Sequence, residues 1–421
     1  MTTKEIFVEK WKKLPWKKFE KNLFRLQHRI YKANLQNDIN LVYKLQCLLL
    51  GSSCSRYIAV RQISIFNIKN QVSKFDDINF LTFKQRFQLV DELKYFNNYT
   101  HQKLNRVYRY KSNGDQKLLL IPTLKDKAIQ YLLMYALEPI YESIIFRESY
   151  GLKSGKSTWD IQTNICLNLQ YTSNQYIKSI LQLDIEKCFY KIDYKKLIKF
   201  IKLPKQIKPF LCSTLHGKII NEQNTNQIGI IFPLVYKIAL YGIENIYNEQ
   251  IIKTQINKQG LRYINNLIYF IKFNEDINLL QNKIDKFLVD QGLNFKETKM
   301  KLIQFNEGFD FLGWHFKIIA KHKKVISYPT FKSRSQLINK IKIIIKDTRY
   351  TLEQRLFTVK IIYSGWLNYN KYCNMKNINL WSLYSWTNNY VKRNSNISRK
   401  KRIKIMKLIF TGYKVKVNIR I

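Results

Sequence analysis

The stretch LRYINNLIYFIKF, residues 261–273, sets two runs of β-branched and aromatic residues on either side of Ile264-Asn265-Asn266. Residues 261–263 and 267–273 have strand composition, and the short polar break between them reads as the tip of a hairpin. Upstream, residues 179–183 form another strand-like run that ends on a charge, Asp184. Between these strands the periodicity is helical. Ile129, Leu132, Leu133, Ala136, Ile140 and Ile144 recur on one face after Thr123, which predicts a long helix with a buried side.

Working outward, residues 104–110 and 116–121 predict a second hairpin around Lys111-Ser112-Asn113-Gly114-Asp115, since Asn-Gly favours the positive φ angles of a tight turn. Residues 11–29, WKKLPWKKFEKNLFRLQHR, interleave Lys and Arg with Trp11, Trp16, Phe19 and Phe24; after Pro15 they read as an amphipathic helix with one strongly basic face. A further helix is expected over residues 40–50, ended by Gly51 and Ser52, whereas residues 64–100 are polar with weak periodicity. Beyond Pro329 the pattern is helical only, with Leu337, Ile341, Ile344 and Ile345 on one face and Leu352, Leu356, Val359 and Tyr363 on another. Three parts are expected: a basic helical region over 1–100, a mixed region over 101–325 and a helical region over 326–421, with the last boundary near 325–330.

Lys and Arg total 73 against 29 Asp and Glu, a net charge of +44 that would strain a compact protein unless a polyanion neutralises it. Nucleic acid is the expected partner. No run of about 18 uncharged apolar residues and no signal-like apolar core is present, so no membrane partner is expected. Cys47, Cys54, Cys166, Cys188, Cys212 and Cys373 are scattered without CxxC pairs or His at zinc spacing, and read as reduced, packed thiols. Few Gly and Pro beside many Lys, Ile, Asn, Tyr and Phe point to an A/T-rich coding sequence such as an organelle genome. The N-terminus carries Glu5 and Glu9 early and lacks transit-peptide character, so synthesis inside the organelle is expected.

Several segments together resemble the group II intron reverse transcriptase and maturase family, in the family's order over nearly the whole chain. Trp16, Leu26, Gln27, Arg29, Ile30 and Ala33, then Leu45, Gln46, Ser52, Ala59, Val60 and Arg61, look like its opening helices. NRVYRYKSNGDQKLLLIPTLKDKAIQYLLMYALEPIYE (105–142) resembles its fingers segment, SYGLKSGKSTWDI (149–161) its SYGFRPGRS segment, and LQLDIEKCFYKIDYKKL (181–197) its first palm motif. FDFLGWHF resembles the primer-grip segment, through Phe311, Leu312, Gly313 and Trp314. SYPTFKSRS, SGWLNYNKY and WSLYSWTNNYVKR look like the maturase thumb, or domain X, whose GW.NY core is Gly365, Trp366, Asn368 and Tyr369. The resemblance implies an α+β fold, right-hand-like fingers and palm followed by an all-α thumb, and a family activity of RNA-directed DNA polymerase.

The resemblance also makes Asp184 the first metal-binding carboxylate, and here the pattern breaks. Where the family has a YADD turn this chain has Tyr263-Ile264-Asn265-Asn266. Polymerisation needs two divalent ions about 4 Å apart. Asn offers only a neutral carbonyl oxygen against the dehydration cost of magnesium. Glu275 and Asp276 lie beyond the hairpin and read as a helix N-terminus. NQIGIIFPLV keeps the family's Gln227, Gly229, Pro233 and Leu234, but Ile228 stands where Gly admits substrate. The triphosphate-contacting Arg falls at Lys117, which keeps the charge without the bidentate fork. Asp193 reads as structural, and no His and Cys pattern of an HNH nuclease follows the thumb.

The expected function is therefore binding of a structured, group II-like intron RNA to assist its splicing, with polymerase activity lost. No intrinsic cofactor is expected; Mg²⁺ is required by the intron RNA, and its retention at Asp184 is doubtful. The alternatives are an active RNA-directed DNA polymerase and a general organellar RNA-binding scaffold. Expected RNA contacts are Lys12, Lys13, Lys17, Lys18, Lys21, Arg25 and Arg29, with Lys392, Arg393, Arg399, Lys400, Lys401 and Arg402. Trp366, Asn368 and Tyr369 are expected in a helix junction rather than at a contact. The expected compartment is a plastid, in preference to a mitochondrion; the sequence carries no reading of a homodimer.

Overall fold

A computed structural model describes residues 3–69, 81–94, 99, 101–102, 104–110, 116–144, 149–151, 155–171, 177–185, 193–216, 226–227, 229–246, 260–272, 276–293, 299–304, 307–319, 324–376 and 378–410. The N-terminal part is helical: α1 (Thr3–Lys12), α2 (Trp16–Leu35), α3 (Ile39–Gly51), α4 (Ser53–Lys69) and α5 (Phe83–Glu92). A hairpin of β1 (Asn105–Tyr110) and β2 (Gln116–Ile121) leads into α6 (Leu124–Ile144). Then follow β3 (Ser149–Tyr150), α7 (Thr158–Tyr171), β4 (Ile177–Asp184), α8 (Tyr194–Phe200), α9 (Lys208–His216), β5 (Asn226–Gln227) and α10 (Phe232–Ala239). The hairpin β6 (Gly260–Tyr263) and β7 (Asn266–Lys272) precedes α11 (Ile277–Asp290), β8 (Lys299–Gln304), β9 (Phe309–Phe311), β10 (Trp314–Ile319) and β11 (Lys324–Pro329). The described remainder is helical: α12 (Phe331–Lys346), α13 (Leu352–Tyr369), α14 (Trp381–Arg393) and α15 (Arg399–Ile409).

Among the described residues three sheets form, in the orders β1-β2-β5, β3-β6-β7-β4-β8 and β11-β10-β9. Both expected hairpins pair antiparallel, with Asn105 opposite Ile121 in one and Tyr263 opposite Asn266 in the other. The Asn113-Gly114 turn lies outside the described residues. The helix expected over 40–50 is α3. Helix α5 falls in the stretch with weak periodicity, and its sequence signal is a capping box, in which Thr82 and Gln85 cap each other's backbone N–H groups. Among the described residues no helix is long and apolar enough to cross a membrane.

The chain divides into two compact units, Met1–Ile161 with Leu181–Lys301, and Gln162–Ile180 with Leu302–Ile421. Residues 302–330 thus fall with the C-terminal helices, upstream of the 325–330 boundary read from helical periodicity. The second unit's core joins Leu337, Ile341 and Ile345 of α12 to Leu356, Val359 and Tyr363 of α13, closed by Val391, Met406 and Phe410.

In the first unit α6 is central. Its Ile129, Leu132, Leu133, Ala136 and Ile140 are buried, and α2, α3 and α4 pack on it. Pro139 sits inside this helix. Proline has no N–H to give to the carbonyl four residues earlier, which leaves the Tyr135 oxygen without its helical donor. Gln27 of α2 supplies one, its Nε2 donating to Tyr135 O at 3.2 Å. Gln46 of α3, fully buried, donates to Ala136 O and Lys202 O, both at 3.1 Å. Asn34 donates to Ile140 O at 3.3 Å and to Ser143 Oγ at 2.6 Å. The amides of α2 and α3 thus reach three α6 carbonyls, and Gln27 serves the one that Pro139 leaves without a helical donor.

Replacing Gln27 with Leu nearly keeps the volume and removes the donor to Tyr135 O. We expect a loss of roughly 1–3 kcal/mol for the orphaned carbonyl. Urea denaturation should show a lower midpoint at unchanged slope; an unshifted midpoint would refute the role of the amide.

Candidate functional site

The tip of the β6–β7 hairpin is two residues long, Ile264 and Asn265. Ile264 has φ +56°, a left-handed conformation unfavourable for a β-branched side chain. Its surroundings hold it there: its N–H donates to Tyr150 O at 3.3 Å, and β3 runs parallel to β6 with Tyr150 opposite Tyr263. Gly151 follows at φ +94°, and a Cβ at that position would lie 2.8 Å from Ile264 Cγ1. Glycine is thus required at 151 both for its backbone angle and for the space beneath Ile264.

Asp184 ends β4, the strand next to β7, and the following Ile185 N–H donates to Asn265 O at 3.1 Å. That bond brings Asp184 to the hairpin tip, beside Asn265 and Asn266. Asn265 Oδ1 is buried and accepts no hydrogen bond. The three side chains supply one carboxylate and two carboxamides. Among the described residues no group of three or more His, Cys, Asp and Glu is placed to hold a metal ion. Burial raises the Tyr263 hydroxyl above its usual value.

Beneath the tip lies an ion pair that sequence reading missed. Arg262 Nε donates to Glu244 Oε1 at 2.5 Å and Arg262 Nη2 to Ser149 Oγ at 2.7 Å, with both charged side chains almost fully buried. Tyr269, opposite Gly260, donates to Ile243 O. Its hydroxyl is held well above its usual value by burial first, then by Glu244, with Arg262 opposing. The available signal was Arg262 itself, a lone charge in an apolar strand. Asp193 and Asp276 cap helices: Asp193 accepts from Lys195 N and Lys196 N, and Asp276 from Asn278 N.

In the loop before α10, a Cβ on Gly229 would lie 2.5 Å from the Phe232 ring, and Ile230 N–H donates to Gln130 Oε1 at 2.7 Å. Packing alone requires glycine there. Gln227 pairs with Leu120, and Lys117 lies opposite Arg109. The Lys117 and Gln227 side chains, Ile228 and Glu275 lie outside the described residues.

In the second unit two motifs read separately in sequence form one cluster. Leu312 (φ +51°) and Gly313 (φ +83°) make the two-residue turn between β9 and β10, with Phe311 opposite Trp314. Trp314 is fully buried, stacks on Tyr369 at 4.7 Å between ring centres, and donates to Asn370 Oδ1 at 3.0 Å. Tyr369 in turn donates to Leu312 O at 2.8 Å, and Trp366 to Ser333 Oγ at 3.1 Å. Asn368 and Gly365 are exposed.

The model for the N-terminal domain of reverse transcriptase matches residues 11–93, and that for reverse transcriptase (RNA-dependent DNA polymerase) matches residues 109–316. The chain belongs to the reverse transcriptase family. It is 28% identical to maturase-like protein 1 of Euglena gracilis, over 89% of this chain and 80% of that protein. Against maturase-like protein 1 of Euglena longa it is 29% identical, over 87% and 79%. Protein YkfC of Escherichia coli strain K12 is 27% identical over 39% of this chain and 45% of its own length. Among solved structures, telomerase from Candida tropicalis with a fragment of telomeric RNA is similar at TM-score 0.36 and 11% identity, over 79% of this chain and 68% of that one.

In this reverse transcriptase family member the basic residues singled out in the sequence lie outside the cores, whereas Arg56, Lys237 and Arg262 are buried. Lys12, Lys13, Lys17, Lys18, Lys21, Arg25 and Arg29 are all exposed on α1, α2 and their junction. Below them Trp11, Trp16, Phe19, Tyr57 and Phe87 form one ring cluster, with Arg61 over Trp16. In the C-terminal helices Lys392, Arg393, Arg399, Lys400 and Lys401 are exposed, while Arg402 is half-buried and donates to Asn388 Oδ1 at 3.1 Å.

Changing Arg262 to Met would strand Glu244 as a buried, unpaired charge. The expected cost is about 3–5 kcal/mol, read by denaturant unfolding, whereas Arg262→Met with Glu244→Leu should recover much of it. If the single and double variants are equally stable, the pair does not hold the hairpin.

Proposed function

We propose that this protein is an intron maturase that binds a structured, group II-like intron RNA and stabilises its splicing-competent fold, without synthesising DNA. The observation that carries this reading is the hairpin tip. It lies beside Asp184, and by the resemblance read in the sequence Asn265 and Asn266 stand where a polymerase needs charge. A pair of magnesium ions must be held by concentrated negative oxygen donors. One carboxylate and two neutral amides do not fit such a pair, so no transfer step is assigned to this centre. Mg²⁺ belongs to the RNA, whose own fold and chemistry use it.

The rest of the reading rests on charge. A net charge of +44 suits a partner of dense phosphate, and structured RNA concentrates phosphate by folding. The exposed cations of α2 and of α14 and α15 are its proposed contacts. Arg402, tied to Asn388, is proposed as support for that surface. The A/T-biased composition supports an organellar gene, and we place the protein in a plastid.

Purified protein given a primed RNA template with Mg²⁺ or Mn²⁺ should make no DNA. Template-dependent extension that disappears in Asp184→Ala would overturn the loss of chemistry. Binding to the host intron should fall steeply with salt, by roughly 10³–10⁵ between 50 and 200 mM if six to ten phosphates are neutralised.

Changing Lys12, Lys13, Lys17, Lys18 and Lys21 to Gln should weaken intron binding with little loss of stability, since all five are exposed. A folded variant that binds and supports splicing at the original level would remove the N-terminal helices from the interface.

A further inference from the structure

On the outer face of α2, Phe24, His28 and Tyr31 follow one another at helical spacing with their rings almost parallel. Phe24 and His28 lie 6.1 Å apart between ring centres, and His28 and Tyr31 6.3 Å, each pair with planes within 8°. Phe24 is 68% exposed, His28 is exposed and Tyr31 half-buried. Their neighbours Trp11, Trp16 and Phe19 are committed to the ring cluster with Tyr57 and Phe87. The three residues of the ladder are instead exposed or half-exposed.

Exposed cations line one side of the ladder. At 3.6 residues per turn, Lys21, Arg25 and Lys32 fall along one flank, and all three are exposed. The other flank carries Glu20, ion-paired with Arg61 at 2.7 Å, and Gln27, which is tied to Tyr135 O. A strand lying here would have its sugar–phosphate chain fixed to one side by cations, with the rings available to its bases.

We propose that Phe24, His28 and Tyr31 form a stacking platform for unpaired bases, with Lys21, Arg25 and Lys32 holding the adjacent phosphates. This rests on the RNA-binding reading above and names the part of the RNA that this helix takes. Duplex RNA hides its base faces within its own stack, so the rings select single-stranded loops, bulges or ends. A second copy of the chain is disfavoured as occupant because it would bring the same cations against Lys21, Arg25 and Lys32.

The test uses the full chain with two probes, an unstructured single-stranded RNA carrying 2-aminopurine and a duplex of equal length. Wild type should bind the single strand and quench its fluorescence. In the double variant Phe24→Ala with His28→Ala the quench should vanish and single-strand affinity fall by roughly 10- to 100-fold, the range for losing one or two stacked bases. Duplex affinity and Tm should hold, and Phe24→Trp should keep the quench. Unchanged single-strand binding and quench in the double variant would overturn the platform while leaving the RNA-binding reading in place. Equal loss on single strand and duplex would also overturn it. Failure of wild type to bind either RNA would refute both readings.

Discussion

Proline inside a buried helix creates a debt of one hydrogen bond, and the first unit of this protein is arranged around it. Pro139 cannot donate to Tyr135 O, and the helix carrying it is packed on several sides, so water cannot substitute. The donors come from side chains on α2 and α3, helices that precede α6 by about a hundred residues in the chain. Gln27, Asn34 and Gln46 each reach α6 backbone oxygens. An apolar residue in place of Gln27 would bury equally well and leave the Tyr135 acceptor unpaired. The amides thus set the register in which the N-terminal helices dock, beyond what hydrophobic burial, which is non-directional, can specify.

The same economy of polar groups governs the hairpin of the candidate site. Arg262 and Glu244 are nearly fully buried and pair through Glu244 Oε1, with Ser149 as a third partner, while Glu244 Oε2 is buried without a hydrogen bond; the base of the hairpin is held by charge in a low-dielectric setting. The tip above it is shaped by backbone contacts: Ile264 N–H to Tyr150 O, Ile185 N–H to Asn265 O, and a glycine at 151. None of these contacts needs the side chains at 265 and 266 to be charged. Geometry and chemistry at this tip are separable for that reason, and the hairpin can persist with amides in place of carboxylates.

In the second unit the constraint is a turn with two consecutive left-handed residues, one of them leucine. Tyr369 accepts the role of clamp, its hydroxyl on Leu312 O and its ring under Trp314, while Thr330 N–H holds Gly313 O at 2.9 Å. A helix of the thumb and a β-turn are thereby parts of one packing unit, which explains why residues 302–330 group with the C-terminal helices even though their local pattern is β.

Much of the fold was legible from local pattern. Hairpin strands, the long helix after Thr123 and the paired helices beyond Phe331 follow from period-2 and period-3.6 spacing, and the Asn265-Asn266 tip could be read because a turn is a local object. Helix α5 was legible only through its Thr82 and Gln85 caps. Three things were decided by tertiary structure alone: the pairing of Arg262 with Glu244, the service of Gln27 and Gln46 to a helix far along the chain, and the stack of Trp314 on Tyr369. The spacing of residues along a chain determines which face of an element is apolar. Which buried donor meets which buried acceptor depends on where distant elements come to rest, and that is a property of the folded chain.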